Sequence, residues 1–205
     1  MSHALPLIYL CRHGQTNWNA EGRIQGQVDT PLNALGRVQA KRNGRYLRLA
    51  LGNAVKDFHF VASPLTRTRE TMHIIRRECG LEPDDFATDE RLMELNFGDW
   101  QNRTLEEISR DEPQEIARRD ADKWNFKPNG PTAESYRMLA DRARPVFEGL
   151  AGRSIVVAHG GITRVFLEMY GGVPPQEAAY ALIQQDRVLK AEDGQICLLY
   201  TSDAA

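Results

Sequence analysis

The sequence predicts an α/β protein with helices on both faces of a mostly parallel sheet and an antiparallel pair of strands at one edge. Short apolar runs alternate with stretches of helical periodicity, and this alternation is typical of a parallel sheet covered by helices. Near the end, two alternating runs flank Asp193-Gly194, a dipeptide that favours a tight hairpin and hence an antiparallel edge. With 205 residues, the chain has the length of about one domain, and we predict a single domain over residues 1–205.

Five short segments rich in apolar and β-branched residues predict the strands. They lie at residues 7–11, 58–62, 155–158, 187–192 and 195–200. Helix starts are predicted where a side chain can cap the first turn or where a proline can occupy its first position. These starts are Asn33, Ser63 with Pro64, the capping box at Thr104, Pro113, and Thr132. We expect the second helix to stop at Gly80, and we expect Pro145 to kink or end the last.

The stretch between residues 104 and 133 is polar and is interrupted by Pro113, Pro128 and Pro131. Because it is polar and broken in this way, we do not expect a separate domain. We predict instead that residues 104–133 form an insertion over the functional site.

Composition excludes several classes of function. The formal net charge is −2, so the chain has no basic field for nucleic acid or for an anionic membrane surface. Three widely spaced cysteines, Cys11, Cys79 and Cys197, argue against a disulfide framework and a structural zinc site, and we expect reduced, buried thiols. No secretory signal is visible, and no apolar run approaches the roughly 20 residues of a membrane helix. We therefore expect a cytoplasmic protein.

Two of the expected strands end in a histidine beside glycine. The first strand continues into Arg12-His13-Gly14, and the strand at 155–158 continues into His159-Gly160-Gly161. In an open parallel sheet, ligands bind outside the carboxyl ends of the strands, and glycine lets a tetrahedral anion approach the backbone. The pattern therefore indicates a nucleophile placed in an anion site.

Several residues along the chain carry side chains suited to chemistry on a phosphate; in order they are Arg12, His13, Asn19, Arg67, Glu94 and His159. As a set they resemble the motifs of the histidine phosphatase superfamily, the phosphoglycerate mutase-like proteins. The resemblance covers nearly the whole chain, from Ile8 to about Arg164. It implies a three-layer α/β/α sandwich of the phosphoglycerate mutase-like kind.

Phosphoryl transfer requires an in-line nucleophile, fixed positive donors around the phosphate oxygens, and a proton for the leaving oxygen. We predict that His13 is the nucleophile, because neutral imidazole can attack phosphorus and form a phosphohistidine. Arg12 and Arg67 are predicted to clamp the phosphate with their planar guanidinium groups. The resemblance implies that Glu94 protonates the leaving oxygen and then activates water. His159 is expected to be a further donor opposite His13.

Four residues are predicted to contact the substrate. Asn19 offers an amide donor to the same anion, Gln25 matches a family position near the substrate, and Gly26 allows close approach of the backbone. Gly160 stands at the second strand end. We expect neither a metal nor another cofactor, because two arginines beside the histidines would repel a cation and the P-loop pattern is absent.

We predict a metal-independent phosphatase that acts on small phosphomonoesters. The family also contains bisphosphate-dependent mutases, which resemble one another in a longer basic insertion and a closing C-terminal tail. In this chain the insertion is short, and the tail at 201–205 is small, polar and expected to fray, which favours the phosphatase. A non-catalytic protein that binds a phosphorylated ligand is the third alternative, and its signature would be the loss of a site residue.

The chain departs from the family pattern at three places, with Gln15, Asn102 and the segment Thr132-Ala133 replacing more usual residues. None of these changes removes a group expected to act in catalysis, but they leave the substrate open. The expected partner is a small phosphorylated metabolite, with neither nucleic acid nor membrane, and homodimerisation stays open.

Overall fold

A computed structural model describes residues 5–201 and confirms the predicted fold class. The strands of this part of the chain are β1 Ile8–Arg12, β2 His59–Ala62, β3 Ala87–Thr88, β4 Ser154–Ala158, β5 Arg187–Glu192 and β6 Gln195–Tyr200. They form one sheet in the order β3-β2-β4-β1-β5-β6. The expected frayed tail lies, apart from Thr201, outside the described residues.

The sheet is parallel from β3 to β1 and antiparallel at the edge formed by β5 and β6. The hairpin between β5 and β6 turns at Asp193 and Gly194, with φ values of 51° and 74°, as a type I′ turn requires. The sequence missed β3, which has only two residues, both exposed, and therefore no apolar pattern.

The helices of the described residues are α1 Asn17–Ala20, α2 Ala34–Leu51, α3 Thr66–Glu78, α4 Leu105–Asp111, α5 Pro113–Ala121, α6 Tyr136–Glu148, α7 Gly160–Gly171 and α8 Pro175–Tyr180. They cover both faces of the sheet. Alternate residues of β1 point to opposite faces: Leu10 packs in a core with α6 and α7, and Cys11 packs in a second core with α2 and α3. These two cores make the three-layer arrangement.

Two of the predicted N-caps are confirmed, because Asn33 and Thr104 each accept a hydrogen bond from the first turn of α2 and α4. The prediction at Ser63 is wrong, since α3 begins at Thr66 and the hydroxyl of Ser63 contacts another residue. The last predicted start is also displaced, because Ser135 and not Thr132 caps α6. That helix contains Pro145 and ends at Glu148.

The three cysteines are free thiols. Cys11 and Cys79 are buried as expected, but Cys197 is exposed, because it lies on β6 at the open edge of the sheet. None of the helices within residues 5–201 combines the length and the apolar character needed to cross a membrane.

Candidate active site

Parallel pairing of β1 with β4 brings the two histidine motifs together. Arg12 lies opposite Ala158 in the ladder, and the next backbone nitrogen, that of His13, donates a 2.9 Å hydrogen bond to the carbonyl of Ala158. The rings of His13 and His159 then meet edge to face, with centroids 5.2 Å apart. The structure therefore places both predicted histidines in one site at the carboxyl ends of the strands.

The ring of His13 is held in one tautomer. Its Nδ1 lies 2.7 Å from the carbonyl oxygen of Gly14, and because a carbonyl only accepts, Nδ1 carries the proton. Nε2 then keeps its lone pair. Burial, together with the positive charges of Arg67 and Arg12, holds the pKa of His13 well below its usual value of 6.5, so the ring is a neutral base near pH 7.

His159 is held by a residue that the sequence had placed elsewhere. Its Nε2 lies 2.8 Å from the hydroxyl oxygen of Ser63, while Nδ1 is buried and has no hydrogen-bond partner among residues 5–201. Burial and Arg67 also hold the pKa of His159 well below its usual value. A buried polar nitrogen without a partner is costly, and a bound anion would satisfy it. Ser63 directly follows β2, so its position at a strand end was the available signal.

Arg67 is a buried cation without a carboxylate partner in the described part of the chain. It lies in the first turn of α3 and is fully buried. Its Nη2 and Nη1 donate to the carbonyls of Gly26 and Val28 at 2.6 and 2.8 Å, and its Nε has no partner there. Burial lowers the pKa of Arg67 to about 10, so the charge remains near pH 7.

Arg12 is only half-buried, but it too has a buried donor without a partner among the described residues. Its Nη1 donates to the carbonyl of Ile183 at 2.5 Å, and its buried Nε has no hydrogen-bond partner in residues 5–201. Burial lowers the pKa of Arg12 to about 10. Two charged guanidinium groups with unpartnered donors beside the histidines make a strong site for an anion with several oxygens.

Glu94 reaches the same site through the first turn of α7. Both carboxylate oxygens lie 3.1 Å from the backbone nitrogen of Gly161, and Oε1 also accepts from the nitrogen of Leu95 at 2.8 Å. A carboxylate is favoured at a helix N-terminus. Glu94 is half-buried and is the only carboxylate that the sequence proposed for the site. The structure places it against the start of α7, whose N-cap residue is His159.

The loop that carries Glu94 is anchored by Arg142, which the sequence did not indicate. Its Nη1 donates to the carbonyls of Arg91 and Met93 at 2.8 and 3.1 Å. Its Nε and Nη2 each lie 2.8 Å from an oxygen of Glu134. The hydrogen bonds to the two carbonyls tie the loop to α6, and the ion pair with Glu134 holds the Arg142 side chain in place.

Hydrogen bonds to neighbouring residues hold the side chains of Asn19 and Gln25, which are predicted to contact substrate. The amide oxygen of Asn19 accepts hydrogen bonds from the backbone nitrogen of Thr16 at 3.1 Å and from Nε2 of Gln185 at 2.9 Å. The amide oxygen of Gln25 accepts a hydrogen bond from the hydroxyl of Thr16 at 2.8 Å. Gly26 has a φ of 54°, and a Cβ there would lie 2.1 Å from the Gln101 side chain. The side chain of Gln101 therefore closely approaches Gly26, and the approach of a substrate to this backbone stays a prediction.

Gly160, the first residue of α7, lies between two guanidinium groups. A Cβ atom at this position would be 3.5 Å from Nε of Arg12 and 3.5 Å from Nη1 of Arg164. Arg164 is therefore a further cation at the edge of the site, and the sequence argument had not singled it out.

Comparison with known proteins agrees with this geometry. The profile described as "Histidine phosphatase superfamily (branch 1)" matches residues 8–191. A protein named "Probable phosphoglycerate mutase GpmB" from Escherichia coli O1:K1 / APEC is 36% identical over 161 residues, which are 75% of this chain and 69% of that protein.

Solved structures extend the likeness to almost the whole chain. A mycobacterial glucosyl-3-phosphoglycerate phosphatase in complex with VO3 superposes with a TM-score of 0.78 at 27% identity, covering 95% of this chain and 98% of the other. Bacillus stearothermophilus YhfR has the same fold, with a TM-score of 0.74, 24% identity and 98% coverage of each chain.

Proposed function

The chain belongs to branch 1 of the histidine phosphatase superfamily, and on this basis we propose that it hydrolyses small phosphomonoesters through a phosphohistidine at His13. One observation carries the proposal. Two guanidinium groups, those of the half-buried Arg12 and the fully buried Arg67, have buried Nε donors without a partner among residues 5–201 and stand beside a neutral imidazole. A phosphate monoester supplies the oxygens for these donors and the electrophile for His13.

In the first step, Nε2 of His13 attacks phosphorus and the bond to the ester oxygen breaks. The carboxylic acid form of Glu94 gives its proton to the departing oxygen, which leaves as an alcohol. Arg12 and Arg67 hold the three phosphoryl oxygens that stay bonded to phosphorus throughout the step. His159 supplies a further hydrogen bond to them through Nδ1. The products of this step are the alcohol, Glu94 carboxylate and phosphohistidine.

In the second step, water attacks the phosphohistidine. The Glu94 carboxylate takes a proton from this water, the phosphorus–nitrogen bond breaks, and phosphate leaves with His13 regenerated. Two fixed cations already balance the charge of the phosphate, so the proposal includes no metal ion. Residues 5–201 contain no group of three or more histidine, cysteine, aspartate or glutamate side chains arranged to hold one.

A mutase is the second candidate, and the 36% identity to the protein named for phosphoglycerate mutase supports it. The same phosphohistidine would then pass its phosphate to another substrate molecule and not to water. The short segment at 104–133, which we propose as an insertion over the site, and the likeness to a mycobacterial phosphatase favour hydrolysis.

The test is a panel of small phosphomonoesters assayed after exhaustive chelation. We expect hydrolysis to continue without metal, to be lost in His13→Ala, and to be retained in the matched control His59→Ala, because His59 is exposed at the start of β2. Restoration of a lost activity by a divalent ion, or full activity in His13→Ala, would overturn the proposal. Interconversion of 2- and 3-phosphoglycerate faster than any hydrolysis would favour the mutase.

A further inference from the structure

A second pocket adjoins the phosphate site on the side of α5 and α6. Its volume is about 160 Å³, and its lining is largely apolar, with aromatic side chains from Phe97, Trp100, Phe126 and Tyr136. Three cations, Arg119, Lys123 and Arg164, also line it. A cavity of about 150 Å³ lined by apolar side chains can hold benzene, so this pocket has room for about one ring.

Arg164 connects the pocket to the phosphate site. Its Nη1 lies 3.4 Å from the hydroxyl of Tyr136 in the pocket wall, and Gly160 stands between its guanidinium group and that of Arg12. Leu95, which also lines the pocket, directly follows Glu94. A phosphate held by Arg12 would thus have its ester oxygen near Glu94 and its leaving group directed to this pocket.

The ammonium group of Lys123 lies near two other cations and has no salt-bridge partner among the described residues. The neighbouring Arg119 pairs with Asp120, and Nε of Arg164 donates to the carbonyl of Ala181 at 3.0 Å. No carboxylate in residues 5–201 lies at salt-bridge distance from Lys123, whose Nζ stands 4.0 Å from the ring centroid of Tyr180. Burial, together with Arg119 and Arg164, lowers the pKa of Lys123 to about 7, and a bound anion would raise it again.

From this geometry we propose that the pocket selects phosphomonoesters whose leaving group is a single flat ring that carries a carboxylate, with Lys123 as the specificity-determining residue for that carboxylate. The inference rests on the proposed hydrolysis at His13. Aromatic walls favour the faces of a flat ring, and the half-buried ammonium group favours one anionic substituent over a neutral one.

The test compares two substrates that differ in charge and scarcely in shape, 4-(phosphonooxy)phenylacetate and its neutral amide. We expect the wild type to have a KM about tenfold lower for the acid, the order of one hydrogen bond between charged groups, with similar kcat. Lys123→Met should remove this preference. The control Lys127→Met, which removes an equal charge from an exposed neighbour, should keep it.

Binding separates this inference from the proposed activity. The corresponding benzylphosphonates, which cannot be hydrolysed, are titrated calorimetrically into the wild type and both lysine variants. Tighter binding of the acid that is lost only in Lys123→Met supports the inference even if no ester is hydrolysed. Equal binding of acid and amide by the wild type, or an unchanged preference in Lys123→Met, would overturn it while leaving the phosphatase proposal intact.

Discussion

The carboxylate of Glu94 packs directly against the backbone of Gly161. Both oxygens of the carboxylate lie 3.1 Å from the Gly161 nitrogen, and a Cβ atom at position 161 would lie 2.1 Å from Oε1 of Glu94. Real Cβ atoms do not approach that closely, so a side chain at 161 has to displace the carboxylate. The observed position of the Glu94 carboxylate, the proposed general acid, therefore requires a residue without a Cβ atom at position 161.

Gly161→Ala should weaken protonation of the leaving oxygen. We expect kcat for an alkyl phosphate to fall about 100-fold, within the usual range for loss of a general acid, and kcat for 4-nitrophenyl phosphate to fall much less. Glu94→Gln should show the same pattern. Gly152→Ala is the control, because its Cβ would meet only His59 at ordinary distance. Equal losses on both substrates would show that Gly161→Ala disturbs more than the acid.

The two histidines should differ in phosphorylation. We expect rapid-quench labelling and peptide mapping to find an acid-labile phosphate on His13, because Nδ1 is committed to Gly14 and Nε2 is free to attack. His13→Ala should abolish labelling, and His159→Ala should reduce it while leaving the label on His13. A phosphate on His159 would reverse the two roles.

Ser63→Ala should release the ring of His159. We expect kcat to fall about tenfold, the order of one lost hydrogen bond to the transition state, with little change in KM. Ser63→Thr keeps the hydroxyl that contacts Nε2 and should restore most of the rate. Loss of thermal stability without a change in kcat would limit Ser63 to a structural part.

The loop after β1 packs on α2 through two glycines. A Cβ at Gly14 would lie 2.2 Å from the carbonyl oxygen of Gly36, and one at Gly36 would lie 2.1 Å from that of Gln15. Alanine at either position should lower the free energy of unfolding by about 1–3 kcal/mol, which is about 2–12 °C in Tm for a chain of this length. Thermal unfolding of both variants beside Gly152→Ala checks this, and unchanged Tm values would refute the tight contact.

Stability should fall as the pH decreases from about 6.5. His13 and His159 have pKa values far below 6.5 in the folded protein, so below that pH the unfolded chain binds more protons than the folded one. Linkage then lowers the free energy of unfolding, by at most about 1.4 kcal/mol per pH unit for each ring. Well above pH 6.5 the rings are neutral in the unfolded chain as well, and their contribution to the slope disappears.

Denaturant midpoints between pH 7.5 and 5 measure this slope. We expect His13→Ala and His159→Ala each to make the decline shallower, because each removes one ring that the folded state keeps neutral. A slope identical to that of the wild type in both variants would assign the decline to other groups.

The sequence alone determined the sheet class, the antiparallel edge and the chemical set at the strand ends. These depend on local physics: apolar periodicity, capping at Asn33 and Thr104, and the turn preference of Asp193-Gly194 all operate within a few residues. The family was also indicated by the sequence, through the order of Arg12, His13, Arg67, Glu94 and His159. The match of the family model to residues 8–191 confirms it.

Only the tertiary structure decided how these groups are held. Ser63 is 96 residues from His159 in the chain, and Glu94 is 67 residues from Gly161, so their contacts depend on how β2, β4 and α7 pack. The ion pair between Arg142 and Glu134 and the pocket lined by Lys123 likewise depend on how the elements of the fold pack together. A side chain's partner across the fold is set by the close packing of whole layers, and a local pattern does not contain that information.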